Sequence, residues 1–200
     1  MRRPRLACPC CEGGGCGHAV GRRGVLGAGL GLGCFAAVGP GGAAALAQGV
    51  AGGAPRRLSI QRVQTGETFD DVYWRDGRYD REALRRLDWV FRDPSLDEAT
   101  PMDPRLFDVL HTMARLLDAA EAFQVVSGYR APETNAARAR ASRRVSRVSL
   151  HMSGMAADVR LPGRDSTAMA RLAAEMQVGG VGLYRRDGFV HLDCGPARRW

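Results

Sequence analysis

Two short segments in the last third of the chain hold the residue types that bind metal ions or move protons. SLHMSGMAADVRL (149–161) sets Asp158 seven residues after His151, and GFVHLD (188–193) sets Asp193 two residues after His191. AADVRL reads as a strand. Its period of two puts Ala156, Asp158 and Arg160 on one face and Ala157, Val159 and Leu161 on the other. A carboxylate between small alanines needs a partner, because an unpaired buried charge is costly. In the second segment Phe189, His191 and Asp193 share one face, and Val190, Leu192 and Cys194 share the opposite one. Two histidines and one aspartate match a catalytic zinc site with three protein ligands and a fourth position for water. The same residues could equally form a buried His–Asp ion pair, and spacing alone does not choose between the two. His111 lies beside the apolar stripe of a helix and reads as a surface or boundary residue.

These side chains need elements to hold them. RLSIQRVQTGE (57–67) alternates as an early strand. Asp80 can cap a helix through REALRRLDWVFRD, with Leu84, Leu87 and Phe91 on one face. Asp103 followed by Pro104 starts a second helix, carrying Leu106, Leu110, Met113 and Leu117 at helical spacing. FQVVSGYR (123–130) is a short buried strand running into a loop. APETNAARARAS is helical, and RRVSRVS is a basic loop. DSTAMARLAAEMQ is a helix capped by Asp165 or Ser166. GVGLY and FVHLD flank a turn containing Asp187-Gly188, a strong hairpin signal. The expected fold is α+β, a small antiparallel sheet with helices packed against it.

The first 47 residues differ in kind. They hold Arg2, Arg3, Arg5, Arg22 and Arg23 against the single acid Glu12. Arg22-Arg23 precedes a weakly apolar, glycine-rich stretch from Val25 to Val38, and Ala45-Leu46-Ala47 offers a small-residue cleavage site. This pattern predicts a twin-arginine-type signal peptide over 1–47 and a flexible linker over 48–57, leaving a folded domain over 58–200. The apolar stretch is too short for a membrane span, so the cleaved product has no stable membrane anchor. Five of the six cysteines fall in the leader; CPCCEGGGCGH has zinc-knuckle-like spacing but lies in a segment expected to be removed. Only Cys194 follows, so the domain must rest on its own core.

All 29 basic residues are arginine, the mark of a GC-rich coding bias, so the formal charge of +8 says little about function. Without the leader it falls to +4, from 24 arginines and 20 acids. That suits an anionic polymer, and without aromatic platforms or a known motif it does not point to nucleic acid.

The histidine segments, together with SGYRAPETN, TGE, FRD and DPRLFD, resemble the murein endopeptidase K-like zinc peptidases of the D-alanyl-D-alanine metallopeptidase group, related to the lysostaphin and hedgehog zinc fold. The likeness runs from Leu58 to Trp200. It implies Zn2+ on His151, Asp158 and His191. It also implies a periplasmic enzyme hydrolysing stem-peptide cross-links in peptidoglycan. Many relatives carry a glutamate or histidine just before the last zinc histidine as general base; Gly188 and Phe189 stand there in this chain. The base is therefore not assigned by resemblance. Asp193 is the geometric choice, either taking the proton or orienting His191. Arg130 of SGYR is the expected catalytic partner for an oxyanion or a substrate carboxylate, because its planar fork suits both. Ser127, Tyr129 and Asn135 are weaker candidates that could be turn chemistry alone. The missing base keeps a non-catalytic, zinc-containing peptidoglycan-binding protein as the alternative, and a D,D-carboxypeptidase as a third reading. The sequence does not fix the oligomeric state.

Overall fold

The structure, a computed structural model, describes residues 53–200 except 144 and 178. The expected leader, its cysteine cluster and the first part of the linker lie outside the described residues.

Eight strands form one mixed sheet in the order β3-β2-β1-β4-β5-β7-β6-β8. They are β1 (Arg56–Arg62), β2 (Thr68–Arg75), β3 (Arg78–Tyr79), β4 (Phe123–Ser127), β5 (Ala156–Arg160), β6 (Gly180–Tyr184), β7 (Phe189–Asp193) and β8 (Arg198–Arg199). The helices are α1 (Arg81–Val90), α2 (Pro104–Leu116), α3 (Pro132–Ala141) and α4 (Ser166–Met176). The α+β class is as expected, but the sheet is neither small nor purely antiparallel. β1 pairs with β4 in parallel, and β6 with β8 in parallel. The extra strands come from TFDDVYWR, the short Arg78–Tyr79 and the C-terminal RR. In β2 the apolar positions Phe69 and Tyr73 are buried, but the intervening Asp70-Asp71 obscures their alternation.

Local chemistry sets the helix starts. Asp80 accepts from the backbone N–H groups of Glu82 and Ala83, Asp103 from Arg105, and Asp165 from Ala168. Each such cap contributes about 1 kcal/mol. Helix α1 stops at Val90, short of the FRD segment that sequence periodicity would include.

One face of the sheet packs against α1, α2 and α4. Leu58 and Ile60 of β1, Phe123 and Val125 of β4, Val159 of β5 and Val190 and Leu192 of β7 meet Leu87, Phe107, Leu110, Met113, Met169 and Ala173 from the helices. Burying each large side chain contributes about 1.5–3 kcal/mol, so this face fixes the register of the sheet. His111 lies at its border, with Nδ1 2.9 Å from the carbonyl of Arg57. The opposite face, across β4, β5, β7 and β6, carries the polar residues.

Candidate metal centre and its cleft

Strand register assembles the site in a row. Ser127 of β4 pairs with Asp158 of β5, Asp158 with His191 of β7, and His191 with Gly182 of β6. Ser127 reaches this row through an irregularity. By simple alternation it would follow Phe123 and Val125 into the core, but a bulge between Val125 and Ser127 shifts the pairing and turns it to the polar face.

His151 enters from outside the sheet. It lies in a single 3-10 turn, Leu150–Ser153, begun by Ser149 and ended by Gly154 at φ 66. Two bonds tie this turn to the SGYR loop: the Arg130 N–H donates to the His151 carbonyl at 3.1 Å, and His151 Nδ1 lies 2.6 Å from the Gly128 carbonyl. The loop is in turn held by the end of α1. Tyr129 N–H donates to Phe91 O at 2.7 Å, and the buried Asp93 accepts from Ala131 N–H at 2.9 Å. Arg92 joins Glu67 and Asp97, each at 2.5 Å. The TGE, FRD and SGYR segments thus form one polar brace behind the site.

The three expected ligands converge. His191 Nδ1 is 2.8 Å and His151 Nε2 is 3.4 Å from Asp158 Oδ1, and the two ring nitrogens are 3.3 Å apart. All three residues are buried. Each ring has an acceptor for its far nitrogen: the Gly128 carbonyl for His151 Nδ1, and Asp193 Oδ2, 3.2 Å away, for His191 Nε2. With protons on those nitrogens, the near nitrogens offer lone pairs toward the Asp158 carboxylate. Three lone-pair donors aimed at one point suit a divalent cation, with the tautomers fixed by the neighbours behind them. When protonated at the near nitrogens, the rings instead donate to Asp158. Burial by itself would raise Asp158, but the hydrogen bonds and charge of His151 and His191 outweigh it and hold the carboxyl well below its ordinary value. Burial opposes a charged His191, yet Asp158 and Asp193 overcome it and raise its pKa.

Asp193 is enclosed, with 0 % of its side chain exposed. Oδ1 accepts from Gly180 N–H (3.0 Å), Gly195 N–H (2.8 Å) and Arg198, while Oδ2 faces His191 and takes a second Arg198 bond at 2.7 Å. Gly180 must lack a side chain here, since a Cβ would lie 2.4 Å from Asp193 Oδ2.

Arg130 is also buried. It donates to Asn135 Oδ1 at 3.1 Å and to Ser127 Oγ at 3.2 Å, both neutral, and among the described residues its Nε has no partner. Burial lowers its pKa, and the charge of Arg138 adds to the effect. So Ser127 and Asn135 support the guanidinium, while Tyr129 turns aside and bonds Glu98 at 3.0 Å.

The candidate ligands His151, Asp158 and His191, with Arg130 and Asp193, all border one cleft of ≈ 970 Å³. Asp187 of the hairpin turn, Tyr184, Arg138 and Trp200 also border it. Sequence reasoning did not single out Gly128, Gly182, Arg198 or Trp200. Only the alternation of GVGLY, with its glycines on the face that meets His191, could have hinted at a close approach there.

The family model described as peptidoglycan L,D-endopeptidase MepK matches residues 50–200. The peptidoglycan L,D-endopeptidase MepK of Escherichia coli (strain K12) is 39% identical over 147 residues, covering 73% of this chain and 80% of that protein. The probable peptidoglycan L,D-endopeptidase MepK of Haemophilus influenzae is 34% identical over 147 residues, covering 73% and 79%. No solved structure matches the chain.

Proposed function

The chain belongs to the MepK family of peptidoglycan L,D-endopeptidases, and on that premise we propose that it is a zinc-dependent endopeptidase cleaving stem-peptide cross-links of the cell wall. It is a peptidase by family, so a purely wall-binding role is set aside. The observation that carries the zinc reading is the convergence of His151 Nε2, Asp158 Oδ1 and His191 Nδ1 within one buried cluster.

His151, Asp158 and His191 would hold the ion. When bound, zinc supplies Lewis acidity, lowering the pKa of water and polarising a carbonyl. The protein supplies the rest. The Gly128 carbonyl and the Asp193 carboxylate each accept a hydrogen bond from a histidine ring N–H and so fix its orientation. With both oxygens engaged and no exposed surface, Asp193 is better suited to orienting His191 than to receiving a proton from solvent. Asp187, exposed at the rim of the same cleft, is the remaining carboxylate for that task. Arg130, charged, buried and bonded only to neutral groups, is suited to bind the oxyanion or a carboxylate of the peptide. In the net reaction a water adds across the amide, the C–N bond breaks, and a carboxylate and an amine leave.

Export belongs to the same reading. The wall lies outside the cytoplasmic membrane, and the Arg22-Arg23 leader over 1–47 with Ala45-Leu46-Ala47 is suited to delivering a folded periplasmic protein by the twin-arginine route. Among the described residues no helix is long and apolar enough to cross a membrane.

Mass analysis of purified cross-linked muropeptides tests the function. The expected result is conversion of dimers to monomers by the zinc-loaded protein, lost on chelation and restored by zinc. Release of a single terminal residue would make it a carboxypeptidase. Unchanged dimers would reject hydrolysis.

A further inference from the structure

Trp200 has no role in the centre described above, and its position is unusual. Its backbone is pinned to β6 by two hydrogen bonds, from Leu183 N–H to its carbonyl (3.1 Å) and from its N–H to the Val181 carbonyl (3.2 Å). Its indole lies directly over Gly182: a Cβ there would stand 2.7 Å from Cε2 and 2.8 Å from Nε1. Gly182 is the residue paired with His191, so the ring is placed beside the metal ligand, with ring centroids 5.3 Å apart. Arg198 is 5.2 Å from the indole centroid. Even so, the side chain is not core; Trp200 is 54% exposed and borders the cleft. A large aromatic held fixed by its backbone, seated on a glycine and left half open to the catalytic cleft is an arrangement for covering apolar surface of something that enters.

The cross-strand row sets the spacing. Arg130 bonds Ser127 at one end, Trp200 rests on Gly182 at the other, and Asp158 and His191 lie between. Three strand separations make this row roughly 14 Å long. That leaves about 7 Å on each side of the metal centre, or about two extended residues. One end offers a cation whose partners among the described residues are neutral, and the other an apolar ring.

We propose that Trp200 is a substrate-binding residue that sets the enzyme's preference for cross-links with a long diamino acid on the acyl side of the scissile amide. Its indole packs on the methylene chain of the residue on one side of the scissile amide, while a carboxylate on the other side meets Arg130. This inference rests on the endopeptidase reading above. On the acyl side of the amide a diaminopimelyl residue supplies the chain that a D-alanyl residue lacks, so a ring packed on that side discriminates between the two by apolar contact.

The test compares wild type, Trp200→Ala and Trp200→Phe on a purified diaminopimelyl-cross-linked muropeptide dimer, with zinc content and melting temperature measured for each. A wild-type protein that fails to cleave the dimer defeats the endopeptidase reading itself, independently of Trp200. With an active wild type, Trp200→Ala is expected to raise KM roughly tenfold, about 1.4 kcal/mol. Its kcat should stay within about twofold, with zinc content unchanged, and Trp200→Phe should recover most of the loss. Tryptophan fluorescence of the metal-free protein gives a second readout: the dimer should quench it in wild type and not in Trp200→Ala. An unchanged KM in Trp200→Ala overturns the proposal. So does loss of zinc from that variant, which would make the indole a support for His191. If Trp200→Ala does not fold, Trp200→Phe decides: a KM raised by a few-fold at full zinc content upholds the proposal, and an unchanged KM rejects it.

Discussion

Asp193 Oδ2 lies 3.2 Å from Nε2 of His191, on the side of the ring that faces away from Asp158. This contact makes the carboxylate a partner of the ring rather than of the cleft. Asp193→Asn nearly preserves shape and separates the two possible roles. As an orienter of His191, its loss should weaken zinc affinity by about 10–100-fold, with turnover restored at excess metal. As a general base, its loss should cut turnover by about 10²–10⁴-fold at normal zinc affinity. The first outcome is expected, from metal titration and kinetics on the same preparation. Full activity at ordinary zinc would reject both.

Arg130→Lys should reduce activity more than stability. Lysine keeps the charge but loses the fork that now spans Asn135 and Ser127, and with it the aim of the remaining N–H groups into the cleft. A lost charge-assisted contact is worth about 1.5–3 kcal/mol, or roughly ten- to a hundred-fold in rate. Steady-state kinetics with thermal unfolding checks this. An unchanged rate with a sharply lower Tm would make Arg130 a structural residue.

The strand-borne part of the candidate site was legible because it rests on strand parity, whereas His151 lies in a 3-10 turn and was singled out by residue type and the resemblance, not by parity. Asp158, His191 and Asp193 each sit where a period of two predicts, with Val159, Val190 and Leu192 on the opposite side in the core. The helix caps at Asp80 and Asp103 were legible for a similarly local reason. What sequence could not supply was anything set by long-range register. The parallel pairing of β1 with β4 joins residues far apart in the chain, and no local pattern encodes it. The bulge that turns Ser127 to the site reverses the parity its sequence implies. Trp200 over Gly182 depends on β8 lying beside β6, a pairing invisible in GPARRW.

Arg62→Met should stabilise the protein. Arg62 is 3% exposed, and its Nε and Nη1 have no hydrogen-bond partner among the described residues. Burial pulls its pKa down to about 10, the sign of a cation that the fold disfavours, although Asp93 partly offsets the cost. Methionine keeps the length and apolar stem while removing the charge. The expected gain is on the order of 1–3 kcal/mol. Denaturant unfolding should show a higher midpoint with an unchanged slope. A loss of stability would mean the guanidinium has a partner in solution.

Gly128→Ala should damage the metal centre through the backbone. A Cβ at this position would lie 2.3 Å from the carbonyl oxygen of Phe91, which also accepts from Tyr129 N–H at 2.7 Å. The SGYR loop would have to lift away from the end of α1, carrying the Gly128 carbonyl off His151 Nδ1. Overpacking of this kind costs about 1–3 kcal/mol, and a displaced ring partner should weaken zinc binding by about 10–100-fold. Gly188→Ala is the control. A Cβ there meets nothing within 4 Å, and its φ of +70 makes the substitution strained only locally, in the hairpin turn. It should cost about 1 kcal/mol and leave zinc affinity intact. Metal titration and thermal unfolding of the two variants side by side test the difference. Equal zinc affinity in both would show that the Gly128 carbonyl does not hold His151 in place.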